Sequence, residues 1–238
     1  MDIHTHLLQT LASIESNFDL LSCKTLISWD DLESHYSEDF SDLEHIYYDQ
    51  VKSMNLDELI VGALAPFFEA ILESWDVLES PSLGSSVLKK WIRLLDISDS
   101  LLQHNKKQKV MTFYESLLDN TWMPKIRNAI QNRWDPRIPE PLILLLESWN
   151  DLIPRWLEHN IYEQLVAPKL KSEIENWNYR KESSPLYSWL FPWLPIAAEK
   201  FSQLGVWEQA RLKIGSCLLD WKPSEDWALK MVQPWKEV

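Results

Sequence analysis

The sequence predicts an all-α fold: an elongated, HEAT-like α-solenoid built as a stack of helix pairs. Three observations lead there. First, a segment recurs, as MPKIRNAIQN at 123–132 and APKLKSEIEN at 167–176, and each copy runs into a tryptophan, Trp134 or Trp177. Pro124 and Pro168 are 44 residues apart, and a weaker third copy, ARLKIGSCLLDW, ends at Trp221. Such a period is that of two- or three-helix repeats, which bury their apolar faces only by stacking. Second, apolar residues within the copies advance by three and four. They are Tyr162, Val166, Leu170, Ile174 and Trp177 in one, and Val206, Ala210, Ile214, Leu218 and Trp221 in another. Leu118, Trp122, Ile126, Ile130 and Trp134 advance by four throughout, with Arg133 as the added residue. These steps put side chains on one helix face. Third, the only glycines are at 62, 84, 205 and 215, and no Asn-Gly or Asp-Gly pair occurs, so hairpin turns lack their residues.

In chain order, helical spacing of Leu7, Leu8, Leu11, Ile14, Phe18 and Leu21 predicts a first helix over 3–28. Ser28 is placed to cap a second, beginning at Trp29. Residues 30–58 carry ten acids against one lysine, yet keep Phe40, Leu43, Ile46, Tyr47 and Val51, and so read as a solvated face of short helices. Residues 55–79 are expected to be helical from Asn55 as cap, with a kink at Pro66. LESWDVL at 72–78 echoes LESWNDL at 146–152 and suggests a degenerate first repeat. SPSLGSS (80–86) is a loop, a helix follows over about 87–97, and DSLLQHNKKQK (99–109) is polar and basic before a helix from about Val110. Pro124 and Pro168 should kink or interrupt their helices, because proline lacks a donor and crowds the preceding turn. NYRKESSPLY (178–187) is the next loop, with helices over 186–204 and 206–221 beyond it. The chain reads as one continuous domain in two parts, residues 1–110, holding the diverged repeat, and 111–238, the tryptophan-punctuated repeats. KPSEDWALKMVQPWKEV opens a further unit without a polar cap, which suggests a fragment of a longer protein. The repeat core is expected at Trp134, Trp177, Trp221, Leu170, Ile174, Ile214 and Leu218.

The net charge is −13. A field of that sign repels phosphate and disfavours direct nucleic-acid binding, while suiting a basic protein partner. The exception to weigh is local: basic stretches over Lys89–Lys109 and Lys125–Arg137, with tryptophans nearby, make an RNA-binding module the alternative reading. Cys23 and Cys217 have no metal or redox spacing, and Cys217 reads as a buried thiol. No apolar run is long enough for a membrane span, and MDIHTHLLQTL has no basic n-region.

The sequence carries no catalytic set. His4 and His6 form an isolated HxH pair, and His35, His45, His104 and His159 are scattered, so no metal site is expected. GSC at 215–217 lacks a nucleophile-elbow context. Glu147 and Asp151 are four apart on an expected helix, a spacing common on solvated faces. No cofactor motif is present. The protein is therefore expected to be no enzyme. WDPR (134–137) and WNYR (177–180) read as corners between repeats, since Asp, Asn and Pro favour turns. As candidate partner contacts these corners and their surroundings offer Asp135, Arg137, Arg155, Trp156, Asn178 and Arg180.

The run from Trp134 to Asn178, followed by SWLFPWLP (188–195) and QPWK (233–236), resembles the GC-rich-sequence DNA-binding-factor-like (GCFC) domain, and more closely the tuftelin-interacting-protein family of splicing factors. The resemblance is dense from about Leu117 onward. It implies a nuclear, non-enzymatic scaffold acting in intron-lariat spliceosome disassembly, with spliceosomal proteins and a second disassembly-factor subunit as partners. It also implies a DEAH-box RNA helicase reached through a glycine-rich G-patch. Four dispersed glycines provide no G-patch here, so the resemblance casts this chain as the docking part. Far-UV circular dichroism should be dominated by helix, and a β-sheet spectrum would overturn the fold class.

Overall fold

The computed structural model describes residues 3–24, 26–96, 111–182, 184–219, 221–222 and 232–237. Among these every regular element is helical and none is a strand. None of these helices is long and apolar enough to cross a membrane. His104, Lys106, Lys107, Lys109 and the expected helix start at Val110 lie outside the described residues, as does the His4 side chain. Contacts group the chain into two compact units. One comprises Met1–Asp76, Ser82–Lys125 and Asp151–Pro154; the other comprises Val77–Pro81, Ile126–Asn150 and Arg155–Val238.

In the first unit, α1 (Ile3–Ser22) ends just after Leu21, the last residue of its apolar spacing, and short of the expected residue 28. Helix α2 (Trp29–His45) starts where Ser28 predicts. The Ser28 hydroxyl accepts from Asp31 N at 3.2 Å and Asp31 Oδ2 accepts from Ser28 N at 3.0 Å, a reciprocal capping box. Hydrogen bonds from Lys24 and then Ser28 hold the Asp31 carboxyl well below its ordinary pKa. The buried stripe of α2 is Trp29, Leu32, Tyr36, Phe40 and Leu43. Against α1, Asp39 Oδ2 accepts from Ser13 Oγ at 2.8 Å and Asn17 Nδ2 at 3.2 Å. After α3 (Tyr48–Ser53), Asn55 is not a helix cap. It takes a left-handed φ of 51°, which a short polar side chain tolerates, and α4 (Asp57–Ser74) begins two residues later and runs through Pro66. Helix α5 (Ser85–Leu95) sets Trp91 edge-on to Phe40 at 5.0 Å.

Charges of opposite sign meet inside this unit. Lys90 pairs with Glu33, Arg93 with Glu44 at 3.1 Å, and Lys89 with Asp151 at 3.4 Å. Two acids of the run, Glu33 and Glu44, thus pair with two bases of α5, and the third base, Lys89, pairs with Asp151 outside the run. Asp151 lies beyond the helix that carries Glu147, so those two carboxylates do not share a helical face.

Helix α6 covers 113–133. It begins at Thr112, another reciprocal cap with Glu115, and strings Phe113–Leu117, a π turn over Leu118–Trp122, Met123–Asn128 and a second π turn over Ala129–Arg133. Helix α7 is Glu140–Trp149. Helix α8 covers 155–176 as Arg155–Ile161, a π turn over Tyr162–Val166, and Ala167–Asn176. Proline therefore does not break these helices. Each of Pro124 and Pro168 follows a π turn by one residue, where the widened ring absorbs both the missing donor and the clash with the preceding carbonyl. The second π turn of α6 takes up the added residue before Trp134, whose N–H reaches Ala129 O at 2.8 Å.

The π turns also explain which rungs are buried. An α-helix turns ~100° per residue, so every step of four drifts ~40° off the face. With π turns to take up that drift, Leu118, Trp122, Ile126, Ile130 and Trp134 are all buried, as are Tyr162, Val166, Leu170, Ile174 and Trp177. Beyond α9 (Leu186–Leu190), a 3-10 turn (Phe191–Trp193) and α10 (Leu194–Gln203), α11 (Val206–Leu219) is regular throughout. From Val206 to Leu218 its drift reaches ~120°, whereas Cys217 lies within ~20°. Cys217 is accordingly buried and Leu218 only half-buried, a correction to the expected core.

Gly84 sits at φ +79°, and a Cβ there would fall 2.2 Å from the Trp29 ring. Gly215 is exposed on α11 with nothing within 4 Å of such a Cβ. Gly84→Ala should cost about 2–4 kcal/mol through strain and overpacking. Gly215→Ala should be neutral or stabilising by up to about 1 kcal/mol. Urea melts of the two variants measure the contrast.

Candidate interaction surface at the repeat corners

The repeat ends share one construction. Trp75, Trp134 and Trp177 each follow a helix in extended conformation, with ψ of 124°, 131° and 132°. Each ring is buried. In two of them the indole N–H closes onto a carbonyl of the following corner: Trp134 Nε1 donates to Ile138 O and Trp177 Nε1 to Ser184 O, both at 3.0 Å. The residue after the tryptophan turns the chain. Asp135 Oδ1 accepts from Arg137 N at 2.9 Å and Asn178 Oδ1 from Arg180 N at 3.0 Å. These are Asx turns, which is why the corners read WDxR and WNxR.

Trp221 is different. It is 41% exposed, against 3% for Trp134 and 2% for Trp177, so its assignment to the repeat core is corrected. Lys222 follows it, where the other corners place a turn-forming Asp or Asn. The regular α11 also ends before it, at Leu219.

The two corners are tied to each other through Arg137. Its Nε donates to Glu182 Oε2 at 3.0 Å and its Nη1 to Glu173 Oε2 at 2.7 Å, while Glu182 Oε1 accepts from Asn178 N at 3.1 Å. Burial opposes the charge on Arg137, but hydrogen bonding and charge from Glu182 and then Glu173 outweigh it and raise the guanidinium pKa above its ordinary value. Arg137 is thus an internal clamp. Arg180 is exposed, with its guanidinium 5.1 Å from the centre of the Tyr179 ring. At the start of α8, Arg155 is exposed and Trp156 half-buried.

A set of lysines carries a structural role that the sequence reading did not assign. Lys125, Lys169 and Lys213 are spaced 44 residues apart. Each donates to the C-terminal carbonyls of an earlier helix. Lys125 Nζ reaches Glu73 O at 3.0 Å, Lys213 Nζ reaches Glu175 O at 2.5 Å, and each acceptor lies two residues before a corner tryptophan. Lys169 Nζ is the most heavily engaged, donating to Ile130 O at 2.7 Å, Gln131 O at 3.2 Å and Trp134 O at 2.6 Å. It also lies 5.8 Å from the Trp134 ring centre. Burial lowers the Lys169 pKa, against the pull of Glu173 and Asp135. Helix C-termini leave carbonyls unpaired and partly negative, and an ammonium with three donors answers both needs. The signal was present in the lysine of the recurring Pro-Lys pair and its period. Its role was hidden because the acceptors are backbone atoms.

The second basic stretch is therefore committed inward at Lys125 and Arg137. Arg127 and Arg133 remain exposed. Among the described residues no cluster of His, Cys, Asp and Glu could hold a metal ion.

Lys169→Met should cost about 1–3 kcal/mol by stranding partly buried carbonyls. Lys213→Met, which removes one donation at an exposed site, should cost less. Trp177→Ala should cost about 3–5 kcal/mol. Equilibrium urea unfolding followed by circular dichroism reads all three, and a change near zero for Trp177→Ala would refute its role in packing.

Residues 34–238 match the family model described as GC-rich sequence DNA-binding factor-like protein. Over 199 residues the chain is 35% identical to tuftelin-interacting protein 11 of Mus musculus and 34% identical to that of Homo sapiens. Those alignments cover 84% of this chain and 23% of each relative, so the chain spans about a quarter of the length of these curated relatives. The matched region takes in both Asx corners, the Arg137 clamp and all three periodic lysines, and on that match the chain belongs to the GC-rich sequence DNA-binding factor-like family.

Proposed function

We propose that this chain is the protein-docking module of a nuclear pre-mRNA splicing factor that acts in disassembly of the intron-lariat spliceosome. The observation that carries the reading is the 34–35% identity to tuftelin-interacting protein 11 over 199 residues. Its partners are spliceosomal proteins and a second disassembly-factor subunit. A DEAH-box helicase would be engaged by a G-patch, which the four dispersed glycines of this sequence do not form. The geometry supports docking in preference to catalysis. Clamped corners and capped helix ends give a surface that changes little on binding, and such preorganisation lowers the cost of association. Of the candidate contacts, Asp135, Arg155, Asn178 and Arg180 are exposed, Trp156 is half-buried, and Arg137 is taken up by its two glutamates.

The test pairs two assays. The fragment in excess should compete with the intact factor and slow lariat-complex release in extract, while leaving the ATPase rate of the cognate DEAH-box helicase unchanged. Strong ATPase stimulation, or release unaffected at saturating fragment, would overturn the docking role. RNA binding should be weak and fall steeply with salt, because it would rest on phosphate contacts alone. Sub-micromolar, salt-resistant binding to one RNA would instead establish the RNA-binding reading.

A further inference from the structure

The second unit contains a cleft of about 340 Å³, within the range of about 300–1,000 Å³ usual for ligand pockets. Its apolar wall includes Leu146 from α7 and Ile196 from α10, and its polar side includes Glu147, Glu158, Tyr162 and Lys200. The charges divide unevenly. Lys200 is paired with Glu158 and lies 4.4 Å over the centre of the Tyr162 ring, so that cation is already neutralised. The carboxylate of Glu147 is exposed and makes no ion pair among the described residues. Its field nevertheless reaches into the cleft. Burial first, then Glu158 and Glu147, push the Tyr162 phenol above its ordinary pKa, so the ring stays a neutral group. The lining thus carries one uncompensated negative charge beside an apolar wall, in a protein whose net charge is −13.

We propose that this cleft receives one basic side chain, an arginine or lysine, from a protein partner. The aliphatic stem of such a residue lies along Leu146 and Ile196 while its head meets Glu147, the division of apolar stem and charged tip that these side chains adopt at surfaces. A phosphate-bearing partner is disfavoured, because the only cation lining the cleft is held by Glu158 and the charge left over is negative. An acidic side chain fails for the same reason. Arginine is the better fit, since its planar fork can hold a carboxylate through two parallel donors. The inference goes beyond the splicing reading: the cleft can bind a basic side chain whatever assembly the protein serves.

The experiment is a titration of the ¹⁵N-labelled full chain with Nα-acetyl-arginine amide, followed by chemical shifts of the Ile196 and Lys200 amides. Saturable shifts at these two sites are expected, with none from the uncharged citrulline analogue. Glu147→Gln should weaken the response by about tenfold or more, the loss of a charge-assisted hydrogen bond. Glu163→Gln, an exposed acid outside the cleft, should leave it unchanged. Glu147 is exposed, so its variant should fold, and an unchanged amide spectrum away from the cleft checks this. Equal shifts with citrulline, shifts spread over surface acids, or a response that survives Glu147→Gln would overturn the proposal. So would shifts at Ile196 and Lys200 on adding poly(U) that persist in that variant. Because no spliceosomal component is present, failure here and failure of the docking assays are separate results.

Discussion

Helix C-termini expose carbonyls that must find donors, and the way this chain supplies them governs its corners. A lysine from a later segment reaches back to the end of an earlier helix three times, at Lys125, Lys169 and Lys213. Each contact fixes the helix end just before a tryptophan leaves the helical path. The tryptophan can then turn its ring into the core, because the backbone beside it is held. The Asx turn that follows aims the chain into the next segment, and at the best-built corner Arg137 ties it to its neighbour. Remove the donor and each later step loses the anchor it is built from. A lysine suits this better than an amide or hydroxyl would. Its three donors can serve several carbonyls at once, and its charge complements the helix dipole.

Much of this was legible in the sequence. The recurring Pro-Lys segments, the steps of four and the WDxR and WNxR corners gave the helices, their buried faces and their turns. Ser28 before Trp29 announced α2, and the structure adds Asp31 as its reciprocal partner. What escaped depended on geometry that residue identity does not carry. The prolines at 124 and 168 read as kinks or interruptions, because a one-dimensional pattern cannot say whether a helix widens, bends or breaks. Leu218 and Trp221 were assigned to the core by analogy with copies that contain π turns, whereas α11 contains none. Asn55 was read as a cap because its side chain suits one, when its backbone instead adopts the left-handed turn that the same side chain permits.

The charge pattern illustrates a second limit. Clusters of one sign are visible along a sequence, but their partners are not. The acids of α2 and the bases of α5 are separated by more than 40 residues, and they meet as pairs across one unit. The bases at Lys125, Lys169 and Arg137 are spent on carbonyls and carboxylates. Counting lysines and arginines along a stretch therefore overstates the positive surface that a nucleic acid would encounter. Net charge, by contrast, is left unaltered by internal pairing.

The π turns bear on how members of such a family are to be compared. The rungs from Leu118 to Trp134 and from Tyr162 to Trp177 carry the same face of five buried residues, yet the first span is one residue longer than the second. The widened turn stores that extra residue without rotating what comes after it. A single inserted or deleted residue, which in a regular helix would swing every later side chain by ~100°, is contained within one turn. Separation along the chain is then a poor measure of equivalence. Two copies correspond when their rungs correspond, and an alignment that enforces a constant period would pair buried positions of one copy with exposed positions of another.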